Sequence, residues 1–188
     1  LQNLLVTYHP ATIDEAAVDR SVNALLSALG RLPDVYVIFT KANADPGGRR
    51  IHALVEAWAG NNAARAQCVA SLGQRLYLSA MAVCDAVVGN SSSGLIEAPA
   101  LGRPTVNIGR RQDGRLRAPS VVDCPEDAEG IEVAIRHALS QPMRDLAARR
   151  ENPYGSGNAS ARIKDLLASI VDPKSLLMKR FHLVGRPC

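Results

Sequence analysis

The chain has 188 residues, of which 47% are hydrophobic, and this length and composition suit one domain with a sizeable core. No stretch approaches the roughly 18 consecutive apolar residues of a membrane span, and no secretory leader is present, so we expect neither a membrane nor a secretory protein. The net charge is +4, but aromatic residues make up only 4% and do not interleave with the basic ones, which argues against a nucleic-acid partner.

Hydrophobic runs and amphipathic stretches alternate along the chain. They predict strands at residues 4–8, 35–39, 66–72, 86–88 and 105–108, with a further edge strand at 121–123. They predict helices at residues 18–29, 51–58, 76–83, 95–98, 129–139, 143–148 and 159–170. This alternation is typical of an α/β fold, a Rossmann-like, doubly wound and mainly parallel sheet. We expect one domain over residues 1–171 and a C-terminal tail over residues 172–188.

Residues 85–109 read as strand, polar turn, short helix and strand, which is a βαβ unit. In such a unit the turn lies at the carboxyl edge of the sheet, where the free N–H groups of the helix carry partial positive charge. Ser91, Ser92 and Ser93 add hydroxyl groups, and Gly94 permits close backbone approach, so the turn predicts a phosphate site. Glu97 follows one turn later, within reach of a ligand hydroxyl. A serine-rich turn is also common as a simple helix cap, and spacing does not decide between the two.

The four cysteines are Cys68, Cys84, Cys124 and Cys188, without C-x-x-C spacing and with no histidine close in sequence. We therefore predict no metal site and no cofactor, and expect reduced thiols in a cytoplasmic protein. The chain starts at Leu1 rather than methionine and enters a strand almost at once, so we expect an upstream part to be missing.

Three motifs carry a resemblance to a known family. They are Gly-Asn-Ser-Ser-Ser-Gly at 89–94 with Glu97, Gly-Arg-Pro-Thr-Val-Asn-Ile-Gly at 102–109, and Arg-Arg-Gln-Asp-Gly-Arg at 110–115. Over about residues 4–162 the chain resembles the UDP-N-acetylglucosamine 2-epimerase family, in the hydrolysing branch that feeds sialic-acid-type sugar synthesis. The resemblance implies a glycosyltransferase-B arrangement of two Rossmann-like domains, with this chain as the second. The tail would then pack on the missing N-terminal domain.

The resemblance also implies roles for individual residues. His9 matches the family's strand-end histidine, which lies near the diphosphate and can stabilise or protonate a departing phosphate oxygen. Asn43 matches an asparagine of the Phe-Thr-x-x-Asn-Ala-Asp segment, although it could serve only to form a turn. Leu72 matches the position whose backbone reads the uracil edge. The remaining predicted UDP-binding residues are Ser91, Ser92 and Gly94 at the diphosphate, Glu97 at the ribose hydroxyls and Arg111 at phosphate charge.

Two features near this site stay open. Arg115 and Arg117 either extend the basic loop or face solvent. Ser156 replaces an acid of the family's Tyr-Gly-Asp-Gly-Asn segment, which leaves the role of that loop undecided.

The implied reaction converts UDP-N-acetylglucosamine and water into N-acetylmannosamine and UDP, by elimination of UDP through a 2-acetamidoglucal and then hydration. The acid and base carboxylates would lie in the absent domain, so we expect this chain alone to bind UDP weakly without turnover. The alternatives are a non-hydrolysing 2-epimerase, a UDP-sugar glycosyltransferase of the same fold, and a non-catalytic module that senses nucleotide sugars. The full-length protein would be a homo-oligomer, and the sugar could be a 2-acetamido or a 2,4-diacetamido compound.

Overall fold

The structure is a computed structural model that describes residues 1–11, 15–41, 47–155 and 157–177. It divides into two compact units, Leu1–Gly155 and Ser156–Cys188. The second unit contains one helix and one short 3₁₀ turn in its described part. The division predicted from the sequence, with a boundary after residue 171, stays a prediction.

One six-stranded sheet forms the centre of the first unit. Its strands are β1 (Gln2–Thr7), β2 (Val35–Thr40), β3 (Ala66–Val69), β4 (Ala86–Gly89), β5 (Thr105–Ile108) and β6 (Val121–Cys124). They lie in the order β3-β2-β1-β4-β5-β6, and all five neighbouring pairs are parallel. The predicted parallel α/β sheet is therefore confirmed, including the edge strand expected at 121–123.

Helices connect the first five strands and follow β6, as the hydrophobic periodicity predicts. In the first unit they are α1 (Glu15–Gly30), α2 (Gly48–Asn61), α3 (Gly73–Val83), α4 (Ser93–Ala100), α5 (Ala128–Ala138) and α6 (Gln141–Ala148). In the second unit they are α7 (Ala159–Ala168) and the 3₁₀ turn Pro173–Leu176. Side-chain caps fix the N-termini of α5 and α6. The Asp127 side chain accepts from the Gly130 N–H at 2.8 Å, and the Ser140 side chain accepts from the Met143 N–H at 3.4 Å. None of the described helices is both long and apolar enough to cross a membrane.

The sheet buries apolar side chains on both faces, which explains why its strands read as continuous apolar runs. On one face Leu4 and Val6 of β1 belong to the larger core cluster, together with residues of α1, α2 and α5. On the other face Leu5 packs with Met81 of α3 and with the smaller core cluster. Leu4, Leu5 and Val6 are fully buried, and each such side chain contributes about 1.5–3 kcal/mol relative to exposure.

The strand order places β1 between β2 and β4, so the connections that leave β1 and β4 run in opposite directions at the carboxyl edge. Open parallel sheets bind ligands in the crevice at such a switch point. The pairing of Thr7 with Gly89 brings the ends of β1 and β4 together. Gly89 has φ +139°, and a Cβ there would overlap the Thr7 carbonyl oxygen, so only glycine permits this close approach.

Candidate site at the switch point of the sheet

Asn90 joins the loops that follow β1 and β4. Its side-chain oxygen accepts from the His9 N–H at 2.7 Å, and its side-chain N–H donates to the His9 carbonyl at 2.8 Å. The Asn90 N–H donates to the Thr7 carbonyl at 3.3 Å. Asn90 is fully buried and His9 is only 5% exposed. Because both polar ends of the Asn90 side chain are satisfied in a buried setting, they fix the His9 backbone beside the serine turn.

The loop after β5 reaches the same point. The Arg111 guanidinium donates to the Asn90 carbonyl at 3.2 Å, and the buried Gln112 side chain donates to the same oxygen at 2.7 Å. Among the described residues Arg111 has no carboxylate within ion-pair distance, whereas Arg110 pairs with Asp113 at 2.9 Å. The Arg111 charge is therefore available to an anion at the switch point.

The role of Arg117 was undecided from the sequence, and its contacts show that it supports this loop. Its guanidinium pairs with Asp123 at 3.1 Å and donates to the carbonyls of Gln112 and Arg115 at 2.9 and 2.6 Å. Arg117 thus holds the loop in shape, while the Arg115 side chain is exposed to solvent.

The serine turn does not act as a simple helix cap. Ser92 stands at the N-cap position of α4 but forms no side-chain cap hydrogen bond. The Gly94 and Leu95 N–H groups donate instead to the Ser91 and Ser92 carbonyls at 3.2 and 3.0 Å. The N-terminus of α4 brings the partial positive charge of the helix to the carboxyl edge, beside the half-buried Ser91 and Ser92.

A run of five hydroxyl groups crosses this edge. Thr40 and Thr7 lie 2.5 Å apart, Thr7 and Tyr77 3.4 Å, Tyr77 and Ser93 2.7 Å, and Ser93 donates to Ser91 at 3.1 Å. Tyr77 comes from α3, so this run links the ends of β1 and β2 to the start of α4. This run could not be predicted from the sequence, because Tyr77 lies within an ordinary helical pattern.

Gly94 and Glu97 occupy the first turns of α4. The Gly94 position faces β5, because a Cβ there would lie 2.8 Å from the Thr105 methyl group, and the Thr105 hydroxyl donates to the Gly94 carbonyl at 2.7 Å. This glycine therefore lets α4 pack closely on β5. One carboxylate oxygen of Glu97 is buried and has no hydrogen-bond partner in the described part of the chain. An acceptor in this state needs a donor, and leaving it without one costs about 1–3 kcal/mol.

Two cavities flank the serine turn. One of about 310 Å³ lies at the ends of β2 and β3, and its walls include Thr40, Leu72 and Tyr77. The other, of about 880 Å³, lies at the ends of β5 and β6 and is lined in part by Arg111 and Glu126. Both open at the carboxyl edge, where the sequence placed the site. Asn43, also predicted there, lies outside the described residues.

Glu126 lines the larger cavity, and the sequence did not indicate this residue as part of the site. It accepts from the Tyr8 hydroxyl at 3.2 Å and from the Ser21 hydroxyl at 2.8 Å. Burial, and then the nearby Glu126 charge, raise the pKa of Tyr8 well above its ordinary value. Glu126 therefore ties the end of β6 to β1 and α1. In the described residues we find no group of three or more His, Cys, Asp or Glu side chains that could hold a metal ion.

The fold and the polar groups at its switch point define an open parallel α/β protein of the ligand-binding type. The family model described as UDP-N-acetylglucosamine 2-epimerase matches residues 2–168, and the chain belongs to that family. The resemblance seen in the three motifs is thereby confirmed.

Similar proteins agree with this assignment. The chain is 40% identical over 119 residues to the GDP/UDP-N,N'-diacetylbacillosamine 2-epimerase (hydrolyzing) of Campylobacter jejuni, covering 63% of this chain and 31% of that protein. It is 31% identical over 179 residues to the polysialic acid biosynthesis protein P7 of Escherichia coli, covering 95% of this chain and 45% of that protein. It thus spans less than half the length of these relatives.

Among solved structures, the S. aureus MnaA–UDP complex matches with a TM-score of 0.70 at 18% identity, over 91% of this chain and 46% of that chain. At this identity the likeness concerns the fold. The predicted glycosyltransferase-B type of fold is confirmed.

Proposed function

We propose that this chain is the UDP-binding half of a hydrolysing UDP-N-acetylglucosamine 2-epimerase, with UDP at the carboxyl edge between β1 and β4. The observation that carries the proposal is the position of Asn90, which holds the His9 backbone through its side chain and receives Arg111 on its carbonyl. A histidine, an arginine without a carboxylate partner in the described residues, and the N-terminus of α4 thereby converge on one point.

The diphosphate would lie against the N-terminus of α4. Its charge would be offset by the partial positive charge of the helix and by the Arg111 guanidinium, and the hydroxyls of Ser91 and Ser92 would donate to its oxygens. His9 would stabilise or protonate the phosphate oxygen as UDP departs. The Ser92 hydroxyl makes no cap hydrogen bond to α4, which supports its proposed role as a donor to a diphosphate oxygen.

The nucleoside would extend from this point in two directions. The buried Glu97 oxygen that has no hydrogen-bond partner among the described residues would accept from a ribose hydroxyl, which would remove the cost of leaving it without a donor. The uracil ring would enter the cavity of about 310 Å³ that Leu72 lines, and the Leu72 backbone would read its edge. Gly94 would contribute indirectly, because it lets α4 pack closely on β5 and so positions the serine turn at the diphosphate.

The reaction proposed for the whole protein begins with removal of the proton at carbon 2 of the sugar. The electron pair forms the double bond of a 2-acetamidoglucal as the bond from carbon 1 to the UDP oxygen breaks. Water then adds across the double bond to give N-acetylmannosamine and free UDP. We assign the acid and base carboxylates to a first domain outside this chain, so the isolated chain should bind UDP without forming product.

A 2,4-diacetamido sugar is a second candidate substrate. It is favoured by the Campylobacter jejuni relative, whose name specifies N,N'-diacetylbacillosamine. Product analysis by NMR on a protein containing both domains would separate the two sugars, and would also separate a hydrolysing reaction, which releases a free sugar, from a non-hydrolysing one, which keeps the sugar on UDP.

The test is a titration of this chain with UDP, followed by NMR because the binding is expected to be weak. Ser92→Ala and Glu97→Ala each remove one polar contact worth roughly 1–3 kcal/mol, so UDP affinity should fall about fivefold or more. Ser79→Ala is the matched control, because the Ser79 hydroxyl donates to the Arg75 carbonyl of its own helix at 2.9 Å. Wild-type protein that does not bind UDP, or binding that neither site variant weakens, would refute the proposed placement.

A further inference from the structure

The five hydroxyl groups of Thr40, Thr7, Tyr77, Ser93 and Ser91 form a continuous run of side-chain hydrogen bonds. Its components come from β1, β2, α3, the first residue of α4 and the serine turn before it. Tyr77 is the central member, because its hydroxyl lies 2.7 Å from Ser93 on one side and 3.4 Å from Thr7 on the other.

The run has one direction. A hydroxyl group carries a single proton, and the Ser93 proton points to Ser91 at 3.1 Å. Ser93 must then accept from the Tyr77 hydroxyl, which lies 2.7 Å away. The protons of Tyr77 and Ser93 are thereby directed towards Ser91, and the Ser91 hydroxyl keeps its own proton for a further acceptor. Each donation also polarises the next hydroxyl, which makes the last one a stronger donor.

We propose that Tyr77 is a positioning residue that orients the Ser91 hydroxyl as a donor to the diphosphate of the bound nucleotide. This inference rests on the proposed function, which places the diphosphate at Ser91. Tyr77 holds Ser93 in place by its hydroxyl, and Ser93 in turn occupies an acceptor site of Ser91. The Ser91 proton is thereby directed away from the protein.

The position of Tyr77 makes the proposal separable from simple packing. Its ring packs against the core cluster of Leu5, Met81 and Val87, and the residue also lines the cavity at the ends of β2 and β3. Tyr77→Phe keeps the ring and removes only the hydroxyl. A nucleoside in that cavity should therefore bind as before, whereas a nucleoside diphosphate should bind less well.

The experiment measures the affinities of UDP and of uridine for the wild-type chain, Tyr77→Phe, Ser91→Ala and the double variant. We expect Tyr77→Phe to weaken UDP binding roughly threefold to tenfold and uridine binding less than about twofold. The double variant should bind UDP no more weakly than Ser91→Ala alone, since both changes remove the same donor. Tyr36→Phe is the control, because Tyr36 lies near the opposite end of β2.

The outcomes distinguish the inference from its premise. Unchanged UDP affinity in Ser91→Ala would refute the diphosphate placement and the inference with it. A loss in Ser91→Ala without a loss in Tyr77→Phe would refute the inference alone, as would equal losses for UDP and uridine, which indicate altered packing. Ser93→Ala interrupts the same run without touching the core, so it should reproduce the UDP-specific loss if Tyr77→Phe does not fold.

Discussion

Replacing Asn90 tests how far one buried amide holds the site together. Asn90→Ala removes the bonds of 2.7 and 2.8 Å that its side chain makes with the backbone N–H and carbonyl of His9, a loop residue that is only 5% exposed. The loss of each buried hydrogen bond costs about 1–3 kcal/mol, so we expect a loss of roughly 3 kcal/mol in the free energy of unfolding. For a chain of this length that corresponds to a fall in Tm of about 6–12 °C.

The assay is urea unfolding followed by circular dichroism, with thermal unfolding as a second measurement. The matched control is Asn62→Ala. The Asn62 side chain also makes two hydrogen bonds, to the Trp58 carbonyl at 2.9 Å and from Arg65 at 3.1 Å, but it is half-exposed. Water can replace those partners, so the control should lose less than about 1 kcal/mol. Similar losses in the two variants would show that bond number, and not burial at the switch point, sets the effect.

Two further predictions concern the core of the first unit. Gly89→Ala places a Cβ against the Thr7 carbonyl, so it should lower the free energy of unfolding by on the order of 3 kcal/mol or abolish folding. The control Gly30→Ala has open space around the added Cβ and should be neutral or stabilising. Similar unfolding curves for the two variants would contradict this prediction. Burial raises the pKa of Cys84 from 9.0 to about 11. Because the pKa is higher in the folded state, the contribution of the neutral thiol to the free energy of unfolding is fully present below pH 9 and should be lost between about pH 9 and 11. Burial also raises the pKa of Tyr8 above its ordinary 10.0, so Tyr8 adds to the same decrease in stability at alkaline pH. Urea unfolding at a series of pH values should show that the free energy of unfolding falls less steeply with pH in Cys84→Ala and Tyr8→Phe than in the wild type. Equal slopes in variants and wild type would refute the assignment.

Much of the sheet could be predicted from the sequence because its strands are buried on both faces. Continuous apolar runs such as residues 35–39 and 86–88 mark such strands, and glycines and prolines mark their ends. The serine turn could be placed at the carboxyl edge for the same reason, since every strand of a parallel sheet ends there. The bounds were less predictable: α2 begins at Gly48 instead of residue 51, because glycine and arginine carry no apolar signal.

The contacts that build the site could not be read from the sequence. Asn90 was part of a motif, but its partner His9 lies 81 positions earlier, and only the order of β1 and β4 brings them together. The contacts of the Tyr77 hydroxyl could not be predicted either, because a helical pattern shows which face of α3 is apolar but not which groups its polar atoms contact. Arg117 was undecided between two roles until its pairing with Asp123 became visible.

The adjacency of β1 and β4 has a consequence for the order in which the chain folds. Leu4 pairs with Val37 of β2 across 33 positions and with Ala86 of β4 across 82. Closing the longer loop costs about 0.8 kcal/mol more in chain entropy, which favours early formation of the β1–α1–β2 segment. The seam between β1 and β4 is then a late step, and His9 meets Asn90 only when it closes. Protection of the His9 amide against hydrogen exchange would therefore report completion of the whole sheet.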